Sequence, residues 1–550
     1  MNVLIMGNSL RPNRSGAPVT GYNVATHDLI YGLLRHVQAE TFCLVGHGDY
    51  QQETIETMIS KIPKDRQQHI HVLSEYDVLF KGAENLCNPD ILHSVKEDPI
   101  PLISARSHLG KNVPLTFLFH GLAEQHMLTD TFYPLLLLPF QQYDAILCSS
   151  SAVAMTIERM LDRLEEIGGR LFSHNTIRPP RIRLEKVPLG IDTDYYKPMP
   201  KSDARKVLGL PQDAIIILWF GRFSHIYKAD LFPLLHVAQM LLQNTTSNIH
   251  LVLAGSEEKG SGEINTLRRL AEELGIQQHI SIIENQNIPS RPLLYSAADI
   301  FTSPIDNLQE TFGLTPVEAM SCGVPQVVSD WDGYRDTVEN GVTGFRIPTI
   351  WTDCLNDVAK ADYLPTNISH RRMLLRSLAV RSTVVDTSEY YKKMLALIEN
   401  PDLRRRMSCA SRQRAKEEYS LSRNAHYTES IWQELSEIAK RSNADPLGRQ
   451  VPMIDYCNDF AAYPTEYLTR ETEFRVTEFG LSCPVTLLRH DTLFSKYISE
   501  AQLPEMLLEY AKNNQSLNML TAKYFFPRFS EDQILRSIMY LYKYDCLRPV

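Results

Sequence analysis

The chain has 550 residues, 43% apolar and 22% charged, with a net charge of -9. That length argues against a single compact domain and suggests two to four, while the acidic balance argues against a general nucleic-acid binder. Its nine cysteines show no CxxC or Cys/His metal spacing, several of them (Cys43, Cys148, Cys322) lying in apolar runs, which reads as buried free thiols in a reducing compartment. No run approaches the ~20 apolar residues of a membrane span. The first residues, MNVLIMG, lack a basic leader and read as a strand, not a signal peptide. The expected location is the cytoplasm, with peripheral attachment to a membrane allowed.

Short β-branched or apolar runs alternate with helix-period segments, the pattern of parallel α/β sheets. A first series of strands is predicted at 3–7, 41–46, 91–95, 115–120, 145–149 and 184–188. The loop 8–23 holds Gly16 and Thr20-Gly21-Tyr22-Asn23 ahead of a helix beginning near Val24. A glycine turn at a helix start lets a phosphate approach backbone N–H groups, which makes Gly21 the candidate contact; Tyr22 either covers a ligand or packs. Further on, Phe117-Leu118-Phe119-His120-Gly121 places a histidine where an apolar strand ends. A lone histidine there is more often a satisfied structural group, although neutral imidazole can hydrogen-bond a hydroxyl or a phosphate oxygen.

The Gly/Pro-punctuated connector LGIDTDYYKPMP, 189–200, separates this series from a second, predicted at 215–220, 249–255, 281–284, 299–303 and 326–329. The architecture expected is two doubly wound domains facing across a cleft and joined near residue 200. After the first strand of the second series comes Gly221-Arg222-Phe223-Ser224-His225-Ile226-Tyr227-Lys228, two cations six positions apart ahead of a helix. Two fixed cations stabilise the charge that builds on a departing diphosphate more than they stabilise its ground state. Arg binds such oxygens bidentately and Lys acts as a point charge. A surface Arg/Lys pair is otherwise unremarkable, and His225 reads as incidental.

The most informative stretch is 309–329, QETFGLTPVEAMSCGVPQVVS. It sets Glu310 and Glu318 eight positions apart across Phe312-Gly313-Leu314, a glycine turn running into a helix start. Backbone N–H groups there form an anion site that Gly313 allows a ligand to approach. The flanking carboxylates can accept hydrogen bonds from sugar hydroxyls, the combination a sugar nucleotide requires. A structural alternative stands beside it. Thr315-Pro316-Val317-Glu318 is a capping box with proline at the first helical position, and Gly323 with Pro325 is a helix stop. That reading leaves Glu310 unexplained, as it does the position of the turn after a strand, where ligands sit in open α/β sheets. The triplets Asp192-Thr193-Asp194 and Asp330-Trp331-Asp332 do not read as metal clamps.

Helices are predicted at 390–398, at 404–416 and on to about residue 439. Arg404-Arg405-Arg406 reads as a solvated helix face, with lipid or polyanion binding as the lesser reading. Beyond residue 442, helices are expected at 503–512, 517–524 and 530–544, the last with a Ser530/Gln533 capping box and an apolar stripe of Ile534, Ile538 and Leu541. Three short helices ending in a small hairpin suit a winged-helix-like module. Without a dense Arg/Lys face, protein docking or dimerisation is favoured over DNA reading.

The segment 308–329, with Asp332-Gly333-Tyr334-Arg335-Asp336 and Asn340-Gly341-Val342-Thr343-Gly344-Phe345 after it, resembles the nucleotide-sugar signature of family 4 glycosyltransferases. These are retaining, metal-independent enzymes of the GT-B fold, two Rossmann-like domains across a cleft. The resemblance covers residues 1–440 and is strongest over 213–346. It implies an acceptor-side domain 1–198, a nucleotide-sugar domain 199–410, a helix 411–442 crossing back to the first domain, and an accessory helical module 443–550. It also marks 349–382 as an insertion of unknown role. By resemblance, Arg222 and Lys228 serve the diphosphate, Glu310 and His120 the transferred sugar, and Glu318 the ribose, with the N–H groups of Phe312, Gly313 and Leu314 completing the site. The family commonly has two adjacent glycines in its first loop; here Gly21-Tyr22 stands instead, which bears on the phosphate contacts of Gly21. Neither metal nor cofactor is expected. The implied partners are a nucleotide-sugar donor, UDP-sugar favoured, and a hydroxyl acceptor that is a glycan, lipid-linked, a small molecule or a protein. An epimerase or hydrolase of the same fold, or a non-catalytic nucleotide-sugar-binding scaffold, are the alternatives.

Overall fold

A computed structural model describes residues 1–6, 21–46, 55–74, 87–109, 111–119, 121–122, 131–171, 181–285, 288–352, 354–355, 376–443, 468–483, 502–514 and 516–550. The chain divides into two compact units, 1–75 with 83–451, and 76–82 with 452–550.

The first unit contains two parallel sheets. In chain order the strands of the first are β1 (Asn2–Met6), β2 (Thr41–Gly46), β3 (Ile70–Ser74), β4 (Ile91–Ser94), β5 (Leu115–Phe119), β6 (Ala145–Cys148) and β7 (Arg183–Lys186), arranged β3-β2-β1-β4-β5-β6-β7. The second holds β8 (Ile215–Phe223), β9 (Ile249–Glu257), β10 (Ile280–Glu284), β11 (Ile300–Ser303), β12 (Gln326–Ser329) and β13 (Gly344–Ile347), arranged β10-β9-β8-β11-β12-β13. Fully buried runs such as Leu115–Phe119 and Ile300–Ser303 are covered on both faces, which is why they read as continuous apolar segments. Each sheet reverses its winding direction once, between β1 and β4 and between β8 and β11. A crevice opens at such a switch point, at the carboxyl ends of the strands.

Two strands of these parallel sheets escaped the sequence reading. β3 is a half-exposed edge, and β13 follows a turn-rich NGVTG run that masks it. β8 and β9 are also longer than predicted. Gly221 and Gly255 pair side by side, and a Cβ on Gly255 would lie 1.7 Å from the Gly221 carbonyl oxygen. Glycine at this point keeps the ladder intact as far as Phe223, so Arg222 belongs to the strand end and not to a loop.

The chain passes twice between the lobes. The connector at Ile191 pairs with the backbone around Ser420, and a Cβ on Gly190 would meet the Ser420 carbonyl at 2.9 Å. The Leu421–Arg441 helix then lies on the first lobe. Its fully buried Trp432 donates from Nε1 to Thr116 Oγ1 at 3.0 Å, and Glu429 accepts from the Gln38 backbone N–H at 2.9 Å. Thr116 also bonds His93 Nδ1 at 2.9 Å; burial lowers the His93 pKa to about 3, so this imidazole is a neutral packing element. Cys43, Cys148 and Cys322 are buried free thiols. Among the described residues, no helix is long and apolar enough to cross a membrane.

The second unit has its own core, in which Leu503 and Leu507 of the Leu503–Asn514 helix meet Ile534, Ile538 and Leu541 of the Glu531–Lys543 helix. A third helix spans Met519–Phe525. The capping box forms as read: Ser530 Oγ accepts from Gln533 N at 3.2 Å and Gln533 Oε1 accepts from Ser530 N at 2.8 Å. The expected terminal hairpin is replaced by a longer-range pair. β16 (Phe474–Val476) precedes all three helices and joins β17 (Leu547–Pro549) antiparallel, so the helices lie between the two strands in sequence.

Candidate functional site

A cavity of about 490 Å³ opens at the carboxyl ends of the second sheet, against the first lobe. The first lobe contributes Val24, Ala25, Glu97, Gly121 and Leu189; the second contributes Arg222, Tyr227, Lys228, Asn285, Arg291, Gln309, Glu310, Phe312, Gly313, Glu318 and Arg376, among others. A larger groove, about 1050 Å³, is bordered by Asp299, Pro325 and Arg412 at the amino ends of β11 and β12. It lies at the wrong end of the sheet for a switch-point ligand. Its Arg412 is engaged by the carbonyls of Thr193 and Tyr196, at 3.0 and 2.8 Å.

Lys228 and Glu310 form an ion pair at the cavity wall, their side chains only 14% and 16% exposed. Burial disfavours the charge on Lys228, but the Glu310 carboxylate more than offsets it, and the lysine pKa is raised. The main chain at Lys228 is fixed by Lys228 N donating to Ser224 O at 2.9 Å and by Asn307 Nδ2 donating to the Lys228 carbonyl. Gly221 makes room for its stem, since a Cβ there would stand 3.2 Å from Lys228 Cγ and Cε. Arg222 stacks on Tyr227, 5.5 Å from guanidinium carbon to ring centroid. Asp332, in the turn after β12, is pushed up to about 8 by burial and by the nearby Glu310 charge. Buried Asp306 is likewise raised to about 8, again chiefly by burial.

The Phe312-Gly313-Leu314 turn is fixed by the DGY segment that follows β12. Gly313 has φ +96°, and a Cβ there would sit 2.3 Å from the Tyr334 ring. A Cβ on Gly333 would sit 2.4 Å from Phe312 Cα. Tyr334 OH in turn bonds Ser303 Oγ at the end of β11, 2.9 Å away. The chain enters the Leu314–Ser321 helix directly from the left-handed Gly313, with no side-chain cap. That overturns the capping-box alternative.

Glu318, 1% exposed, turns instead toward three partners. Tyr196 OH donates to its Oε1 at 2.9 Å, Tyr295 OH to its Oε2 at 2.6 Å, and Arg291 Nη1 to Oε1 at 3.2 Å. Burial first, then the Glu318 charge, raises the pKa of both tyrosines. Arg291 also faces the Phe220 ring at 5.5 Å. None of these partners carried a sequence signal beyond the general rule that a buried carboxylate needs donors.

Gly21 is the first residue of the Gly21–His36 helix, whose Val24 and Ala25 reach the cavity. His120 and most of the first loop lie outside the described residues. Gly121, next to His120, does line the cavity, and a Cβ there would approach Gln309 Oε1 at 3.3 Å. Two further contacts span the lobes: Ser149 Oγ donates to the Thr311 carbonyl at 3.3 Å, and Asp336 Oδ2 accepts from Ser151 N at 2.6 Å. The latter sets a carboxylate at the start of the Ser151–Leu171 helix, where the helix dipole favours it.

The two Asp-x-Asp triplets have local duties. Asp192 Oδ1 accepts from the N–H groups of Asp194 and Tyr195, at 2.9 and 3.0 Å, and Asp330 faces Arg346 at 3.4 Å. Among the described residues, no group of three His, Cys, Asp or Glu side chains is gathered for a metal ion.

Residues 200–360 match the family described as glycosyl transferases group 1. Similar curated proteins include the D-inositol 3-phosphate glycosyltransferase of Mycolicibacterium smegmatis, 32% identical over 207 residues, covering 36% of this chain and 45% of that one. The protein of the same name from Mycobacterium leprae is 31% identical over 188 residues, covering 34% and 41%. The chain thus spans a little under half the length of these relatives. Among solved structures, HepE of Anabaena in complex with UDP superposes with a TM-score of 0.51 at 15% identity, over 80% of this chain and all of that one. A glycosyltransferase from Rickettsia africae does so with a TM-score of 0.52 at 15% identity, over 80% and 99%. At such identities the likeness is one of fold, two facing parallel-sheet domains.

Proposed function

We propose, from the premise that residues 200–360 belong to the glycosyl transferases group 1 family within a GT-B fold, that the chain transfers a sugar from a nucleoside-diphosphate sugar to a hydroxyl acceptor with retention at the anomeric carbon. The observation that supports it best is the convergence of Arg222, Lys228, Glu310 and the Gly313 turn on one cavity at a topological switch point.

In this reading the diphosphate lies between Arg222, Lys228 and the start of the Leu314–Ser321 helix. As the bond from the anomeric carbon to the phosphate oxygen breaks, charge accumulates on the leaving group, where these groups stabilise it. Entry of the donor redirects the Lys228 ammonium from Glu310 to phosphate and frees the carboxylate to accept sugar hydroxyls. The acceptor oxygen forms the new bond on the same face, and its proton passes to the departing phosphate oxygen, so no protein base is required. Charge neutralisation by the two cations makes the reaction metal-independent. Glu318 serves the ribose by exchanging one of its present donors for a ribose hydroxyl. Uridine is the favoured base, since HepE, which shares the fold, is named as a UDP complex. A polyol phosphate joins the acceptors to be tried because the curated relatives are named for D-inositol 3-phosphate.

The test is to incubate the full chain with a panel of sugar nucleotides and acceptors and to measure free nucleoside diphosphate. Release from one donor, unaffected by EDTA, with product of unchanged anomeric configuration by NMR, is expected. Absence of release and of binding across the panel would overturn the reading; release that EDTA abolishes would overturn metal independence alone.

A further inference from the structure

Of the segment 349–382, the described residue Arg376 lines the cavity. The base of the segment is closed by a small antiparallel pair, β14 (Thr349–Ile350) with β15 (Val384–Val385). Just before β15, a helical stretch, described from Arg376 onward, is tied off by Ser382 Oγ donating to Leu378 O at 2.8 Å and Thr383 Oγ1 to Ala379 O at 2.9 Å. Val380 and Arg381 of this stretch line a small cavity together with Ser224, His225 and Ala229, so the stretch faces the segment that carries Arg222 and Lys228. The result is that Arg376 reaches the main cavity. Its guanidinium carbon lies 4.8 Å from the centroid of Tyr227, the ring on which Arg222 also stacks at 5.5 Å.

Among the described residues, four basic side chains line the cavity. Lys228 faces Glu310, and Arg291 faces Glu318. Arg222 and Arg376 are the two gathered on one aromatic ring. Each guanidinium gains cation–π attraction from that ring. Paired guanidinium forks on a shared platform match an oxyanion that presents several oxygens.

Deepening the donor reading, on which the choice of ligand rests, we propose that Arg376 is a donor-binding residue, forming with Arg222 across Tyr227 a two-arginine clamp for an anionic group of the sugar nucleotide. That group is either the pyrophosphate or a carboxylate on the transferred sugar.

Calorimetric titration of the full chain and of Arg376→Ala and Arg376→Lys with UDP, inorganic pyrophosphate, UDP-glucose and UDP-glucuronic acid tests the clamp, with melting curves to verify folding. A clamp on pyrophosphate predicts that Arg376→Ala loses about tenfold or more in affinity for UDP and pyrophosphate alike, the scale of one charge-assisted hydrogen bond, with Arg376→Lys intermediate. A clamp on the sugar predicts a similar loss for UDP-glucuronic acid alone. Should Arg376→Ala fail to fold, Tyr227→Leu, which removes the platform and keeps both cations, is expected to weaken the same ligand. Unchanged affinities for all four ligands in a folded variant would overturn the clamp. The two readings fail separately: UDP, UDP-glucose and UDP-glucuronic acid all bound equally by wild type and Arg376→Ala spare the donor reading and remove the clamp, whereas pyrophosphate bound through Arg376 without any sugar nucleotide does the reverse. Binding of none of the four to wild type removes both.

Discussion

The two parallel sheets of the first unit share a topology and differ in what they bring to the crevice between them. Among the described residues, the first lobe offers a largely neutral rim, Val24, Ala25, Gly121 and Leu189, with Glu97 as its acid. The second brings Arg222, Lys228, Arg291, Arg376, Glu310 and Glu318 to the same cavity. A switch point makes a crevice in any doubly wound sheet; which lobe takes the charged part of a ligand is decided by the side chains at the strand ends.

This contrast can be broken most forcefully at Lys228. Lys228→Ala is expected to lower turnover by about two to three orders of magnitude, the scale of losing one electrostatic contact to a transition state, while the protein still melts cooperatively. An unchanged rate would place the chemistry elsewhere. Glu318→Ala is expected to act on both stability and binding. Removing the buried acceptor strands Arg291 and two tyrosine hydroxyls, at a cost of about 3 kcal/mol, the low end for a buried pair because Arg291 remains 30% exposed. Urea denaturation against wild type measures this. UDP affinity should fall in the same variant; a stability loss without a binding loss would make Glu318 purely architectural.

The Asp332 carboxyl sharpens the comparison through pH. Its pKa in the folded chain is about 8, above the roughly 3.9 of an unfolded aspartate, so between these values the folded state binds the extra proton. Its contribution to stability is therefore fully present below about pH 4 and is lost as pH rises through about 8. Asp332→Asn should flatten part of the decline in melting temperature over that window, leaving the part owed to Asp306. An identical pH profile would show that Asp332 ionises normally. The smallest effect belongs to the second unit: Ser530→Ala removes the capping box at a cost of about 1 kcal/mol to that unit and leaves turnover unchanged. A parallel fall in turnover would show that the module participates in the reaction.

Most strands were legible because buried parallel strands are short apolar runs between breakers, as at Thr41–Gly46 and Gln326–Ser329, where predicted and observed bounds agree. β3 was missed because an edge strand need not be apolar, and β13 because glycine and asparagine ahead of it read as a turn. At the site, Arg222, Lys228, Glu310 and Gly313 were found because they lie within short runs whose spacing means something chemically. Tyr196, Arg291, Tyr295 and Arg376 were not, because they come from three separate segments, Arg291 and Tyr295 sharing one short helix, that meet only after folding. Glu318 was read both as a cap and as a ligand group. Local sequence could not choose, since the helix start at Gly313 is set by Tyr334 and Gly333, some 20 residues downstream.

Calorimetric titration of UDP into wild type and into the Arg222→Ala/Lys228→Ala double variant tests the central claim most directly. Saturable binding by wild type, weakened at least about a hundredfold in the folded double variant (two charge-assisted contacts), is predicted. Equal affinity in the two proteins would contradict the assignment of this cavity to a nucleoside diphosphate.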